Sequence, residues 1–305
     1  MREEVNLPMM ENVRAGFRLV ITDSGLGGLL ICAEIERRMR GAGARGLQIV
    51  YFNAWPEENS GSNAMPDEAS RARVFDRALR RIGRLLPDRI VIACNTLSIL
   101  YPLTDYSRVA AVPVIGIIDT GVDLFHRALT ADPAGSLVIL GTRTTVESNV
   151  HRDRLMQKGI AAGRIAAVSC HGLAAAIDKD PGNPETAALI RQCALDASAA
   201  QPAGTRIYAA LCCTHYSYVA EALRTALALQ CGREVHILDP KQALVDAVAC
   251  ACPAGGSPVP APTVEVISKV ELSAPQRAAL ARRIAPVSEL TAQALLSYTR
   301  IADLF

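Results

Sequence analysis

Short apolar runs alternate along the chain with longer segments in which apolar residues recur every three or four positions. The short runs are apolar throughout, which is typical of strands buried on both faces of a sheet. The predicted strands are residues 17–22, 47–52, 89–93, 112–117, 136–141, 165–170, 206–211 and 234–238. The predicted helices include residues 26–40, 67–86, 145–159, 217–229 and 287–305. This order predicts an α/β fold, with parallel sheets joined by helical crossovers.

A weak internal repeat predicts two similar domains. Each half of the chain has a strand that ends in small polar residues and, about 70 residues later, a strand that ends in cysteine. A length of 305 residues also fits about two domains. We assign residues 1–116 and 225–305 to the first domain, including an N-terminal extension (1–16) and a C-terminal helix (287–305), and residues 117–224 to the second.

Composition and charge exclude several classes of partner. The formal net charge is only +2, which gives no strong field for nucleic acid or an acidic membrane. The N-terminal segment lacks the apolar stretch of a signal peptide, and no apolar run has the length of about 18 residues that spans a bilayer. These features predict a cytoplasmic protein without nucleic-acid or membrane partners, and they leave open whether it is a homodimer.

Nine cysteines are an odd number in a chain without a secretion signal, so we expect reduced thiols and no disulfide framework. Most should be small buried apolar residues. This expectation covers Cys32, Cys193 and Cys231 in particular. Cys212 and Cys213 are adjacent and Cys250 and Cys252 are one residue apart, so the spacing of structural zinc sites is missing and no metal is predicted.

Polar side chains follow four of the predicted strands. Ligands bind beyond the carboxyl ends of strands in open parallel sheets, so these residues are candidates for one site. They are Asp23 and Ser24, Cys94, Asn95 and Thr96, Thr142 and Thr145, and Cys213, Thr214 and His215. Hydroxyls and loop amides suit a small carboxylate ligand, and thiols suit proton transfer. The alternative role of each hydroxyl or amide is to cap the following helix. No lysine lies in these turns to bind a pyridoxal cofactor.

Three motifs carry a family resemblance: DSGLGGL at 23–29, ACNT at 93–96 and CCTHY at 212–216. With these motifs, over about residues 17–285, the sequence resembles the aspartate/glutamate racemase superfamily, most of all its glutamate racemases. The resemblance implies two α/β domains with the active site in the cleft between them. It also implies racemisation of a small amino acid without a cofactor, and a supply of D-glutamate for cell-wall peptidoglycan.

In the family, two cysteines on opposite faces of the substrate exchange protons with its α-carbon. The resemblance assigns these roles to Cys94 and to Cys213, which directly precedes Thr-His. Cys212 stands at the family's glycine position, and it should point to the other face of its strand and pack as a small apolar residue. The active base is a thiolate, so we expect helix N-termini or nearby charge to lower the thiol pKa.

The resemblance also implies helpers and substrate contacts. Asp23 matches a carboxylate near the first thiol and His215 a histidine near the second, and Asp178 stands where the family has a glutamate. For Asp178, an ordinary solvated helix charge is the alternative. The implied substrate-binding residues are Ser24, Ser60, Gly61, Asn95, Thr96, Thr142, Thr145 and Thr214.

One departure concerns the loop for the substrate's distal carboxylate. The family's Pro-Tyr-Gly is replaced by Asn59-Ser60-Gly61, preceded by Glu57 and Glu58. The Gly61 amide could still bind a carboxylate, but the missing tyrosine and added negative charge favour another distal group. His171 replaces a proline of the family. An imidazole after a strand end could contact a ligand, but we expect a core or surface histidine.

Other functions therefore stay open. The first is racemisation of aspartate or of an amino acid with a polar side chain. The second is another reaction of the superfamily, such as that of the maleate isomerases or the arylmalonate decarboxylases. The decarboxylases lack one of the two cysteines, so the presence of both Cys94 and Cys213 argues against that variant. The third is a catalytically silent amino-acid-binding protein, or a nucleotide-binding oxidoreductase using GLGG at 25–28, although that motif lacks the G-x-G-x-x-G spacing.

Overall fold

Two parallel sheets organise the computed structural model, which describes residues 16–44, 46–57, 65, 67–200, 205–252 and 261–305. Ten strands lie within these residues: β1 (Phe17–Asp23), β2 (Leu47–Asn53), β3 (Arg89–Ile92), β4 (Val114–Gly116), β5 (Ser136–Gly141), β6 (Ile165–Ser169), β7 (Ile207–Cys212), β8 (Val235–Leu238), β9 (Thr263–Ser268) and β10 (Thr299–Arg300). The first sheet has the order β10-β9-β2-β1-β3-β4 and the second the order β6-β5-β7-β8.

Helices cover both sheets. Their bounds are α1 (Leu29–Gly41), α2 (Glu68–Arg84), α3 (Asn95–Leu100), α4 (Tyr106–Val109), α5 (Ile117–Ala131), α6 (Arg143–Glu147), α7 (Val150–Gln157), α8 (Leu173–Lys179), α9 (Pro184–Ala199), α10 (Ala220–Cys231), α11 (Lys241–Ala251), α12 (Ala274–Ile284) and α13 (Glu289–Leu296). None of these helices combines the length and the apolar character that crossing a membrane requires.

The central strand β1 explains why the apolar runs do not alternate with polar residues. Its Leu19 and Ile21 pack into one core cluster while Val20 between them packs into another, so both faces of the strand are buried. Each pairing within the two sheets is parallel. The predicted α/β class with parallel sheets flanked by helices is confirmed.

The strand pairing of β8 bears on where the second domain ends. Residues 225–305 were assigned to the first domain, but β8 pairs with β7 at the edge of the second sheet. A boundary at residue 224 therefore divides strands of one sheet. We propose that the second domain runs from α5, which begins at Ile117, to the end of β8 at Leu238.

The C-terminal segment contradicts the prediction of one helix over residues 287–305. Ser288 caps α13 by accepting a hydrogen bond from the Thr291 amide, and the helix ends at Leu296. The next residues form β10, which pairs with β9 at Thr299 and Arg300. Pairing with an otherwise open sheet edge satisfies backbone groups that a longer helix would leave exposed on β9.

A second helix prediction, over residues 145–159, is also wrong in detail. Asn149 adopts a left-handed backbone conformation with φ of 54°, which divides the segment into α6 and α7. Asparagine tolerates this conformation better than most residues. The segment at 217–229 likewise opens with a 3-10 turn over Thr214–Val219 before α10 begins.

The expectation of reduced thiols fails for one pair of cysteines. Cys170, which follows β6, forms a disulfide with Cys193 on α9. Their Cα atoms are 5.3 Å apart, within the range that a disulfide spans. The sequence could not show this because the two cysteines are 23 positions apart, and the intervening chain, which includes α8, folds back to bring them together. The remaining seven cysteines are free.

His151 on α7 is a buried histidine without hydrogen-bond partners. It is 2% exposed, both ring nitrogens lack a partner among the described residues, and the ring packs near Phe125. Burial, with the charge of Arg154 nearby, lowers its pKa from 6.5 to about 4. The unfolded chain therefore binds a proton here at a higher pH than the folded chain does. Stability should fall as the pH drops from 6.5 towards 4.

We predict that His151→Phe removes this loss of stability. In urea denaturation, the stability of the variant relative to wild type should be about 2 kcal/mol greater at pH 5 than at pH 8. Leu155→Ala, in the same core cluster, is the control, because it should destabilise equally at both pH values. Equal shifts for His151→Phe at the two pH values would contradict the assignment.

Candidate active site

The carboxyl ends of the two sheets share one cavity of about 410 Å³. Cys94 follows β3 of the first sheet and Cys213 follows β7 of the second, and both line this cavity. Eight further predicted site residues line it: Asp23, Ser24, Asn95, Thr96, Thr142, Asp178, Thr214 and His215. Thr145 is buried next to them, whereas Ser60 and Gly61 lie outside the described residues, as does Asn59.

Cys94 is a buried thiol at the start of α3. Its sulfur lies 3.2 Å from the Ser24 hydroxyl and accepts a hydrogen bond from the Leu97 amide at 3.5 Å. Burial, followed by the charge of Asp23, raises the pKa of Cys94 from 9.0 to about 12. The expectation of a lowered pKa is therefore wrong for this cysteine, because loss of hydration outweighs the helix N-terminus. Its resting form is the protonated thiol.

Cys213 lies next to His215, which in turn forms an ion pair with Asp178. Its sulfur lies 3.5 Å from Nδ1 of His215, and Nε2 of His215 lies 2.9 Å from Oδ1 of Asp178. Burial lowers the pKa of His215, but the charge and hydrogen bond of Asp178, together with Cys213, raise it well above its ordinary value. A protonated ring donates from both nitrogens, so it can hold the ion pair with Asp178 and exchange a proton with the sulfur.

Asp178 is therefore a buried partner of His215, with 4% of its surface exposed. The alternative of a solvated helix charge is wrong. Its helix, α8, begins after the left-handed Gly172 and runs along the cavity wall. The one-methylene shorter side chain reaches His215 without difficulty.

Asp23, the last residue of β1, also lines the cavity. Its Oδ2 accepts a hydrogen bond of 2.8 Å from the Thr214 hydroxyl, while Oδ1 has no partner among the described residues. Burial raises its pKa from 3.8 to about 6, and the charge of His215 and the bond from Thr214 limit the rise. This carboxyl group can thus change protonation near neutral pH, close to the Cys94 thiol.

Four uncharged polar residues lie in or beside the cavity: Asn95, Thr96, Thr142 and Thr145. Together with Asp23 they form what we call the floor of the cavity. The Asn95 side chain is 2% exposed, and neither its nitrogen nor its oxygen has a partner among the described residues. Buried amides of this kind are costly unless a ligand or water satisfies them. The hydroxyls of Thr96, Thr142 and Thr145 lie 3.1 to 3.3 Å from one another. Such groups can bind the carboxylate and ammonium groups of an amino acid.

The glycines after β1 allow the two sheets to meet. A Cβ atom on Gly27 would lie 2.4 Å from the Thr214 hydroxyl oxygen and 2.7 Å from the His215 amide nitrogen. A Cβ on Gly28 would lie 2.8 Å from Asp23 Oδ2. Protein atoms therefore occupy the space that a side chain at Gly27 or Gly28 would need, so only glycine fits at these positions without movement of its neighbours.

Tyrosines from both domains fix the same loop. The Tyr51 hydroxyl donates to the carbonyl of Gly25 at 2.7 Å, and the Tyr218 hydroxyl donates to the carbonyl of Leu26 at 3.3 Å. Tyr51 lies on β2 and Tyr218 in the turn after Cys213. Bonds from opposite sides hold the glycine loop in the position that Gly27 requires.

The side chain of the neighbouring Cys212 packs into a different core cluster from that of Cys213, although the residue also borders the cavity. It packs with Phe125 in the core of the second sheet, whereas Cys213 belongs to the cluster that joins the two sheets. Cys212 is fully buried, and burial raises its pKa well above 9.0. The alternation along β7 therefore separates the adjacent sulfurs as strand geometry requires.

Several lining residues were not predicted as part of the site. They are Trp55, Arg143, Cys170, His171, Gly172, Ala174, Ala175 and Cys212. His171 is exposed, as expected of a surface histidine, and it also lines the cavity. Its place directly after a strand end was the available signal. Among the described residues, no group of three or more His, Cys, Asp and Glu side chains could hold a metal ion.

Comparison with known proteins agrees with this arrangement. Residues 25–248 match the family model described as Asp/Glu/Hydantoin racemase. The glutamate racemase of Syntrophus aciditrophicus is 26% identical over 230 residues, 75% of this chain and 77% of that enzyme. The glutamate racemase of Chlorobium phaeobacteroides is 30% identical over 135 residues, 44% of this chain and 46% of that enzyme.

Solved structures share the fold. The glutamate racemase of Francisella tularensis, in complex with D-glutamate, has a TM-score of 0.65 at 16% identity and covers 96% of this chain and 99% of its own. A glutamate racemase isoform of Bacillus anthracis has a TM-score of 0.64 at 19% identity, with coverages of 90% and 95%. At these identities the likeness concerns the fold.

We predict that Gly27→Ala disrupts the cavity floor. The added methyl group collides with Thr214 and His215 and should destabilise the protein by about 1–3 kcal/mol, as overpacking does. Gly163→Ala is the matched control, because a Cβ there has no atom within 4 Å and should change stability by less than about 0.5 kcal/mol. Thermal unfolding of both variants measures the difference, and equal behaviour would contradict the close approach.

We also predict that Asp23→Asn stabilises the protein at high pH. Because the folded-state pKa is raised, the folded chain loses stability as the pH rises from 3.8 through 6, and asparagine does not. The advantage of the variant over wild type should grow by about 2 kcal/mol between pH 4.5 and pH 8 in urea titrations.

The control for this comparison is Asp123→Asn, at an exposed carboxylate paired with Lys158. It should change stability by less than about 0.5 kcal/mol at either pH. An advantage of Asp23→Asn that stays constant with pH, or that shrinks as the pH rises, would rule out a raised pKa for Asp23.

Proposed function

The chain belongs to the Asp/Glu/hydantoin racemase family, and we propose that it interconverts L- and D-glutamate by proton transfer through Cys94 and Cys213. The observation that carries the proposal is the pair of cysteines at the ends of β3 and β7, one from each sheet, lining a single cavity. Racemisation needs one group to remove the α-proton and another to deliver a proton to the opposite face. Two thiols, one following a strand of each sheet, are suited to that need.

The two thiols have different surroundings. Cys94 rests as a thiol, since burial raises its pKa to about 12. The Cys213 sulfur lies 3.5 Å from Nδ1 of His215, and we assign the role of the first base to this cysteine. In one direction the Cys213 thiolate takes the proton from the α-carbon, which breaks the C–H bond. The resulting carbanion then takes the proton of the Cys94 thiol.

At the end of this step the thiol and the thiolate have exchanged places. The opposite direction of the reaction starts from that state. Asp23, with a pKa of about 6, and the His215–Asp178 pair can restore the protonation of either sulfur between turnovers. Both proton carriers are side chains of this protein, so the proposed reaction uses no cofactor.

The polar groups of the floor hold the reacting end of the substrate in this proposal. Asn95 has an unpartnered amide, and the hydroxyls of Thr96, Thr142 and Thr145 form a cluster beside it. These groups can bind the α-carboxylate and α-amino groups and so align the α-carbon with the sulfurs. Orientation of this kind accounts for a large part of many enzymatic rate enhancements.

Glutamate is proposed as the substrate because the similar enzymes of known name are glutamate racemases. The expected site for the distal carboxylate at Ser60 and Gly61 lies outside the described residues. Aspartate or a polar amino acid stays an alternative substrate, and other superfamily reactions or silent binding stay alternative functions. A supply of D-glutamate for peptidoglycan in the cytoplasm is the proposed cellular role.

We predict that each cysteine serves one direction of the reaction. In deuterated water, the protein should replace the α-proton of glutamate by deuterium. NMR measures this exchange separately for L- and D-glutamate. Cys94→Ser should abolish exchange from one enantiomer and Cys213→Ser from the other, each by at least about 100-fold, because a serine hydroxyl is a far weaker acid than a thiol.

Cys212→Ser is the matched control, since Cys212 packs in the core of the second sheet and should leave both exchange reactions intact. Retention of both reactions in Cys94→Ser or in Cys213→Ser would refute the two-thiol mechanism. Absence of exchange in folded wild-type protein, across a panel of L- and D-amino acids, would favour a silent amino-acid-binding protein.

A further inference from the structure

Two further polar side chains line the cavity besides the residues already assigned to proton transfer and substrate binding. Arg143 is the first residue of α6, and His171 lies in the turn between β6 and α8. Both side chains are exposed and both line the cavity. Neither has a hydrogen-bond or ion-pair partner among the described residues, in contrast to the bonded groups at the floor.

The backbone fixes the position of each side chain. Thr142 caps α6 by accepting from the Thr145 amide, so Arg143 extends from the same turn that contributes two hydroxyls to the floor. His171 donates its amide to the Ser169 carbonyl, and the disulfide of Cys170 anchors the preceding residue to α9. Both side chains therefore extend from backbone that neighbouring bonds hold in place.

The charges that line the cavity are unevenly distributed. Asp178 is neutralised by its ion pair with His215, and Asp23 is only partly ionised near neutral pH because its pKa is about 6. Glu57, which argued against an acidic substrate in the sequence, is exposed and is not among the lining residues. Among the described lining residues, Arg143 is thus a cation that no acidic side chain neutralises.

We propose that Arg143 and His171 bind the distal carboxylate of the substrate and so select an acidic amino acid over its neutral amide. This inference rests on the proposed function for the orientation of the ligand, with its α-carbon between the cysteines. A guanidinium group can donate two parallel hydrogen bonds to a carboxylate, and an imidazole can add a third. Their positions supply the distal contact that the altered Asn59-Ser60-Gly61 loop put in doubt.

Trp55 provides a direct measure of binding. It is the single tryptophan of the chain, it is half-buried, and it lines the same cavity, so ligand entry should change its fluorescence. Titration with L- and D-glutamate and with glutamine gives dissociation constants that do not depend on turnover. Glutamine is the informative partner because it differs from glutamate only at the distal group.

We predict that Arg143→Gln raises the dissociation constant and the KM for glutamate about tenfold or more, with kcat nearly unchanged. The values for glutamine should change less than about twofold, since the lost interaction is with a charge. Arg143→Lys should restore part of the affinity, because it keeps the charge without the planar donor pair. Arg127→Gln is the matched control, because it removes the same charge from an exposed residue of α5 that does not line the cavity.

A double-mutant cycle tests whether both residues contact the same carboxylate. His171→Asn should also weaken glutamate binding, and the combined variant should lose less than the product of the two single effects. Strict additivity would remove His171 from the proposal. Equal weakening of glutamate and glutamine by Arg143→Gln, unchanged affinity for glutamate, or a fall in kcat alone would overturn the role of Arg143, as would wild-type protein that binds neither ligand.

The fluorescence and exchange measurements separate the two proposals. Selective loss of glutamate binding in Arg143→Gln, in a protein whose wild type exchanges no α-proton, would support the distal contact and refute racemisation. Normal exchange with unchanged selectivity in Arg143→Gln would support racemisation and refute the distal contact.

Discussion

The hydrogen bond from Thr214 to Asp23 joins the two halves of the molecule at the point where the proposed chemistry takes place. Thr214 follows Cys213 at the end of β7, and Asp23 is the last residue of β1. Gly27 and Gly28 make this contact possible, since a side chain at either would enter the space that Thr214, His215 and Asp23 occupy. The cavity, the distance between the sheets and the placement of both thiols all depend on this close approach.

The same contact concentrates charge in a buried region. His215 and Asp178 compensate each other, whereas Asp23 keeps one carboxylate oxygen without a partner among the described residues. Asn95 is similarly unsatisfied. Such groups reduce the stability of an empty site, and proteins tolerate them where a ligand completes the hydrogen bonding. Stability and binding therefore oppose each other at this floor.

The sequence predicted the sheets better than their edges. Eight strands are found close to their predicted bounds, because runs buried on both faces are distinctive in composition. β9 was missed because Thr263–Ser268 has Glu265 in its middle and so lacks such a run, and β10 was read as helix because the two residues Thr299–Arg300 are set by pairing alone. The predicted site residues lie at strand ends, where topology is informative. Arg143 was missed and the role of His171 stayed open, because an exposed side chain joins a cavity only through the tertiary arrangement. The raised pKa of Cys94 depends on burial that no motif expresses.

The cluster formed by Thr96, Thr142 and Thr145 draws hydroxyls from both sheets. Each O–H can rotate about its own bond, so the cluster can turn lone pairs or hydrogens toward whatever group approaches, without backbone movement. Mirror-image ligands present the same substituents in a different order around one tetrahedral carbon. A set of rotating donors and acceptors can accommodate both hands, which a rigid array of amides or guanidinium groups could not do equally well.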